Sequence, residues 1–225
     1  MIFDPLYFIM LLPALALGLY AHWRVRSTFA RYSQVSAASG ISAERLARRL
    51  LDRAGLQNVK IESIRGVLTD HYDPRTRTLR LSDPEGRSLA HLGVAAHEVG
   101  HAIQHAQLYR PLALRTAIVP VVNFGSQLAV PLFFLGLIFQ IPGLMLLGII
   151  AYSFFVLFTL VTLPVEFNAS RRAIGLLQGG GYISGGRELE AVKSVLGAAA
   201  LTYVAAAATA VLQLLYFVLA SRRRG

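Results

Sequence analysis

Four stretches of this chain hold about twenty or more consecutive residues that are almost all apolar: 2–22, 116–139, 144–163 and 195–220. Asp4 is the only Asp, Glu, Lys or Arg in the first, and the other three have none. A helix rises 1.5 Å per residue, so ~20 apolar residues cross the ~30 Å of a bilayer's hydrocarbon. Few folds accommodate four such segments. They predict a mainly α membrane protein of about four transmembrane helices. Composition agrees: only 15% of residues are charged, against roughly 25% in an ordinary soluble domain. The second and third segments are separated by Gln140-Ile141-Pro142-Gly143, whose Pro-Gly pair predicts a tight turn and a helical hairpin. The first segment lacks a positively charged leader and is followed by Arg24, Arg26 and Arg31, so it reads as an uncleaved anchor with its N-terminus outside.

The chain is also basic, at +10. Nothing resembles a nucleic-acid-binding module, and the distribution of charge explains the excess. Residues 23–111 hold 14 of the 22 Lys and Arg, residues 164–194 hold four more, and the hairpin turn holds none. The positive-inside rule places both polar regions on the cytoplasmic face, and the turn outside. The tail, with Arg222, Arg223 and Arg224, opposes this assignment if all four segments span; the larger count decides. The partner implied so far is the bilayer, with no nucleic acid.

Residues 23–111 are long enough for a small α+β domain. Ser42 is a candidate N-cap for a helix through Ala54 with Leu46, Leu50 and Leu51 at helical spacing, and Gly55 stops it. Residues 59–64 and 76–82 read as strands, with a turn at Asp73-Pro74-Arg75. The second strand is a candidate sheet edge on which an extended substrate pairs. Residues 88–107 form a second helix, rich in Ala, with four His.

That helix carries His97-Glu98-Val99-Gly100-His101. Residues four apart stack on one helix face, so both imidazoles reach one ion. Glu98 sits beside that face. Zinc lowers the pKa of its water towards ~7, and the carboxylate then serves as general base. The absence of Cys excludes a thiolate site, a disulfide framework and a thiol nucleophile. A third ligand is needed. Gln104 and Gln107 stand where a metzincin needs Gly and His. His105 lies eight residues from His97, about 12 Å along the helix, and cannot share its ion; His91 is off the face. Among the downstream carboxylates, Glu188 and Glu190 read as a solvated helix face. Glu166 stands at a membrane boundary, where an unpaired carboxylate is costly. Two spans separate it from His101, which returns it to the same side. Pro164 before it suits a helix start or kink. His71 and Tyr72 are weaker candidates for oxyanion stabilisation. Arg171 and Arg172 have three readings: partners for the neighbourhood of Glu166, ligands for lipid phosphate, or, by default, markers of the cytoplasmic face.

Three runs carry a resemblance: 66–75 (Gly-Val-Leu-Thr-Asp-His-Tyr-Asp-Pro-Arg), 95–105 around the two His, and 164–173 around Glu166. In order and spacing they resemble the YugP-like neutral zinc metallopeptidases of bacterial membranes, over nearly the whole chain. The resemblance implies a gluzincin-type membrane protease with one zinc ion, His97, His101 and Glu166 as ligands, and Glu98 as base. More distant membrane zinc proteases place an acidic residue four positions after the ligand Glu; Ser170 stands there in this chain. In the family pattern position 168 is more often Asp than Asn.

The expected function is that of a membrane-embedded zinc endopeptidase of a bacterial-type plasma membrane, with membrane-associated protein or peptide substrates as partners. The domain plan is a span at 2–22, a metallopeptidase domain at 23–111, spans at 116–139 and 144–163, a ligand-supplying segment at 164–194, and a span at 195–220. Two rivals come from other classes: a metal-ion transporter, since intramembrane His and Glu mark ion paths, and a catalytically inactive scaffold binding anionic lipid. Against the transporter, the His-bearing helix is bracketed by Arg87 and Arg110.

Overall fold

The computed structural model describes residues 5–222. Asp4 and the proposed outside N-terminus lie beyond the described residues, as do Arg223 and Arg224 of the tail. The protein is mainly helical: six helices and one small sheet among the described residues. They are α1 (Pro5–Tyr32), α2 (Ala43–Arg53), β1 (Lys60–Ser63), β2 (His71–Asp73), β3 (Thr78–Leu81), α3 (Leu89–Ala106), α4 (Arg110–Phe139), α5 (Pro142–Gly179) and α6 (Arg187–Arg222). Four of these, α1, α4, α5 and α6, are long and apolar enough to cross a membrane. The protein is a mainly α membrane protein with a small α+β domain.

The chain divides into two compact bodies. Among the described residues, the first comprises 5–22, 113–164 and 201–222. Its core is aromatic and close-packed. Phe133 and Phe217 are fully buried and stack at 4.0 Å and 14°, with Tyr152 edge-on to Phe217 at 5.2 Å. Helices α4 and α5 approach closely at two glycines. A Cβ on Gly148 meets the Phe133 nitrogen at 2.7 Å, and one on Gly136 meets that of Met145 at 2.5 Å. Without a hydrophobic drive between helices in lipid, such backbone proximity supplies the packing.

The α4–α5 turn differs in detail from the Pro-Gly reading. Gln140 takes the left-handed conformation (φ 57°), Pro142 opens α5, and Gly143 is helical. Proline suits a first helical position because its missing N–H has no intrahelical partner there. Pro164 neither starts nor ends a helix: α5 runs through it for 38 residues. Membrane helices tolerate proline where neighbouring Ser and Thr hydroxyls and helices re-satisfy the backbone.

The second body comprises Trp23–Leu112 and Val165–Ala200. Helix α2 buries Ala43, Leu46, Ala47, Leu50 and Leu51, the face of an amphipathic helix. Ser42 occupies the N-cap but its side chain does not cap. The first N–H groups of α2 donate instead to the carbonyls of Gly86 and Pro84, which makes a side-chain cap redundant. Ser88 does cap α3, accepting from the His91 N–H.

The sheet order is β1-β3-β2, with β1 parallel and β2 antiparallel to β3. The expected edge role of the 76–82 strand is therefore overturned. β3 is paired on both sides, and substrate has no free backbone there to join. The reason is the loop after β1: Asp70 accepts from both the N–H and the hydroxyl of Ser82, which carries the chain past the end of β3 and sets β2 on its outer side. Asp73 closes the β2–β3 turn by accepting from the Arg75 N–H and the Thr76 hydroxyl. Both groups hold its carboxyl below the ordinary carboxylate range, the Arg75 N–H most strongly.

Candidate metal centre

The centre is built where α3 meets residues 165–179 of α5. Val165, Ala169, Ala173 and Leu177 are fully buried and four apart, a straight stripe along α5. Opposite them, Gly100 permits contact: a Cβ there meets the carbonyl oxygen of Ala169 at 2.8 Å. The glycine inside the His-Glu-Val-Gly-His run is thus required by the passing backbone. This close approach brings Glu166, beside the stripe, to the two histidines on α3.

His97, His101 and Glu166 come together, with one donor atom each in a single cluster. The Nε2 atoms of His97 and His101 are 3.1 Å apart. Glu166 Oε2 lies 3.3 Å from His97 Nε2 and 3.5 Å from His101 Nε2. A tetrahedral ion about 2.0–2.1 Å from each donor needs those donors roughly 3.3–3.4 Å apart. The observed spacings bracket that value. Glu166 is only 3% exposed, so its charge is not held there by solvent.

The outer nitrogens of both rings are engaged. Gln104 is fully buried. Its Nε2 donates to the Val165 carbonyl at 2.8 Å and to Asn168 Oδ1 at 2.9 Å. That leaves Oε1 as an acceptor for His101 Nδ1–H at 3.0 Å. Ser170 Oγ lies 3.2 Å from His97 Nδ1, and accepts from it when that nitrogen carries the proton. Each neutral ring then turns an Nε2 lone pair inward. Two lone pairs and a carboxylate oxygen converging at 3.1–3.5 Å repel one another unless a cation or proton lies between them. Histidine ligands generally use their outer N–H in this way, which fixes tautomer and ring orientation. The residues therefore fit a zinc ion. Burial opposes charge on His101, but the hydrogen bond to Glu166 and the charge of Glu98 outweigh it and raise its pKa.

Glu98 is 8% exposed and, among the described residues, makes no side-chain hydrogen bond. Its carboxylate is thus uncommitted beside the ligand face. The other sequence candidates lie elsewhere. His105 accepts from or donates to the Tyr72 hydroxyl, at 2.9 Å. His91 contacts Ser88 and Asp83. His71 stands against Thr69 and Arg80. None of the three joins the metal cluster. Glu188 is partly exposed, and it also accepts from the N–H groups of Ala38 and Ser184, tying the loop before α2 to that before α6. Glu190 is exposed, beside Lys193.

Gln104 and Ser170 are the functional residues that sequence reasoning missed. Gln104 served there only to exclude a metzincin, and Ser170 was noted only for not being acidic. The available signal was spacing. Gln104 is three residues beyond His101 and Ser170 four beyond Glu166, so each shares a helix face with a candidate ligand.

No solved structure matches the chain. It is 49% identical over 216 residues to "Putative membrane protease YugP" of Bacillus subtilis (strain 168), covering 95% of this chain and 96% of that protein. Residues 7–222 match the model of the family described as "Putative neutral zinc metallopeptidase", and the chain belongs to that family.

Proposed function

We propose that this protein is a membrane zinc endopeptidase in which His97, His101 and Glu166 hold one zinc ion and Glu98 is the general base. The observation that carries the reading is the converging donor triad with both outer ring nitrogens already engaged. His97, His101 and Glu166 would hold the ion, and it would supply Lewis-acid polarisation of a scissile carbonyl and a lowered pKa for the attacking water. Glu98 takes the proton from that water and passes it to the leaving amine nitrogen. Gln104 and Ser170 keep the two rings aimed while this happens. The substrates are peptides or proteins associated with the membrane. The site works on the cytoplasmic face, a placement supported by the Lys and Arg of the two polar segments.

The transporter reading is disfavoured by α3, which is not among the four helices long and apolar enough to span. Glu98→Gln separates enzyme from scaffold. The variant should keep its zinc and lose peptide cleavage by about 10²–10⁴-fold, the usual share of a general base. Cleavage by the wild type should also disappear with chelation and return with zinc. Undiminished cleavage by Glu98→Gln would overturn the base assignment. Zinc binding by the wild type without cleavage of any peptide would favour the scaffold.

A further inference from the structure

In sequence Arg171 and Arg172 look equivalent. The structure separates them. Arg171 is exposed and Arg172 half-buried. Arg172 Nε donates to Asn168 Oδ1 at 2.7 Å, one turn back on α5. The same oxygen accepts from Gln104 Nε2 at 2.9 Å, and Gln104 Oε1 faces His101 Nδ1 at 3.0 Å. A hydrogen-bonded path therefore runs from a guanidinium on α5 to a metal-facing ring on α3. Its direction is fixed by chemistry. Arginine has no acceptor, the Asn168 oxygen has no proton, and the Gln104 nitrogen can only donate.

We propose that Arg172 is a positioning residue for the metal centre. It holds the Asn168 amide in one orientation, Asn168 helps hold Gln104, and Gln104 aims the His101 ring so that Nε2 points into the donor cluster. The action is geometric. An amide with one oxygen partner lost can turn over and present its NH₂ to Gln104, which would set donor against donor. Gln104 keeps a second acceptor, the Val165 carbonyl at 2.8 Å, so the contribution of Arg172 is smaller than that of Gln104. Arg171, exposed on the same helix, has no part in it.

The proposal rests on the reading of His97, His101 and Glu166 as zinc ligands. Its test is the zinc affinity of the full-length protein in detergent, measured by competition with a chromophoric chelator, with the visible spectrum of the cobalt-substituted protein as a second readout. Loss of a residue bonded directly to a ligand typically weakens metal binding 10–100-fold. Gln104→Leu should fall in that range, and Arg172→Ala at about 3–10-fold, below it. Arg172→Ala should also perturb the cobalt spectrum. Arg171→Ala should bind within twofold of wild type on both scales. Arg172→Gln places an N–H donor at the same distance along the side chain and should restore most of the affinity.

In a Gln104→Leu background, Arg172→Ala should add nothing, because the path is already cut. Zinc affinity of Arg172→Ala within twofold of wild type overturns the proposal, as does an equal loss in the Gln104→Leu background. If Arg172→Ala fails to fold, Arg172→Met and Arg172→Gln replace it, and equal affinities in those two overturn the proposal. A wild type that binds no zinc contradicts the metal site itself. Zinc binding indifferent to Arg172 contradicts only its positioning role.

Discussion

The two bodies of this protein solve the packing problem with different materials. The body of apolar helices uses aromatic stacking and bare backbone, as at Phe133–Phe217 and at Gly136 and Gly148. Its helices leave large side chains such as Phe124, Ile138 and Leu146 exposed, as lipid-facing surfaces do. The polar body buries a mixed Leu, Ala and Val core and sets paired polar groups such as Gln104 and Glu166 beside it. Lipid offers no partner for an unpaired polar group, so chemistry that needs buried charge is concentrated in the second body. A helix such as α5 serves both, apolar through residues 144–163 and functional from Glu166 onward.

That contrast can be broken by substitution. The largest effect is expected at Gly100. In Gly100→Ala a new Cβ meets the Ala169 carbonyl oxygen at 2.8 Å, and backbone must move. Overpacking of this kind costs about 1–3 kcal/mol. Because α3 and α5 carry the ligands, zinc affinity should fall together with thermal stability; unchanged zinc affinity would mean that the close approach does not set the site. Phe217→Leu should cost about 0.5–1.5 kcal/mol from lost ring stacking and leave zinc stoichiometry at the wild-type value. A loss of zinc in that variant would show that the aromatic body shapes the centre after all.

The smallest effect is expected at Asp73, in the β2–β3 turn. Its carboxyl pKa is lowered by folding, chiefly by the Arg75 N–H and the Thr76 hydroxyl. The stability it contributes is therefore present above the unfolded carboxylate value near ~3.9 and is lost as pH falls through the lower folded value. Asp73→Asn should melt slightly below wild type at pH 7, and the gap should close in strong acid. A gap that persists or widens in acid would contradict the hydrogen-bonded turn.

Much of this organisation was legible in the residues. Uncharged runs mark the spanning helices because lipid admits little else. His97, Glu98 and His101 declare themselves because four-residue spacing has one geometric meaning on a helix. Glu166 stood out among the carboxylates beyond the hairpin because it closely follows a long apolar run. What stayed hidden depends on contacts between elements distant in sequence. The central place of β3 follows from the Asp70–Ser82 contacts, and no local pattern in 76–82 distinguishes a central from an edge strand of four residues. Continuity of α5 through Pro164 depends on an environment that tolerates a missing N–H. The need for Gly100 is set by a backbone about seventy positions away. Gln104, Asn168 and Arg172 are ordinary polar residues until α3 and α5 are brought together.

The central claim is that three side chains from two distant segments hold one zinc ion. The direct measurement is zinc per chain in purified wild type and in Glu166→Ala, by elemental analysis after removal of loosely bound metal. The account predicts about one zinc per chain in the wild type and near none in Glu166→Ala, because two histidines alone leave the ion under-coordinated. Full zinc occupancy in a folded Glu166→Ala protein would contradict it, and would place the third ligand elsewhere.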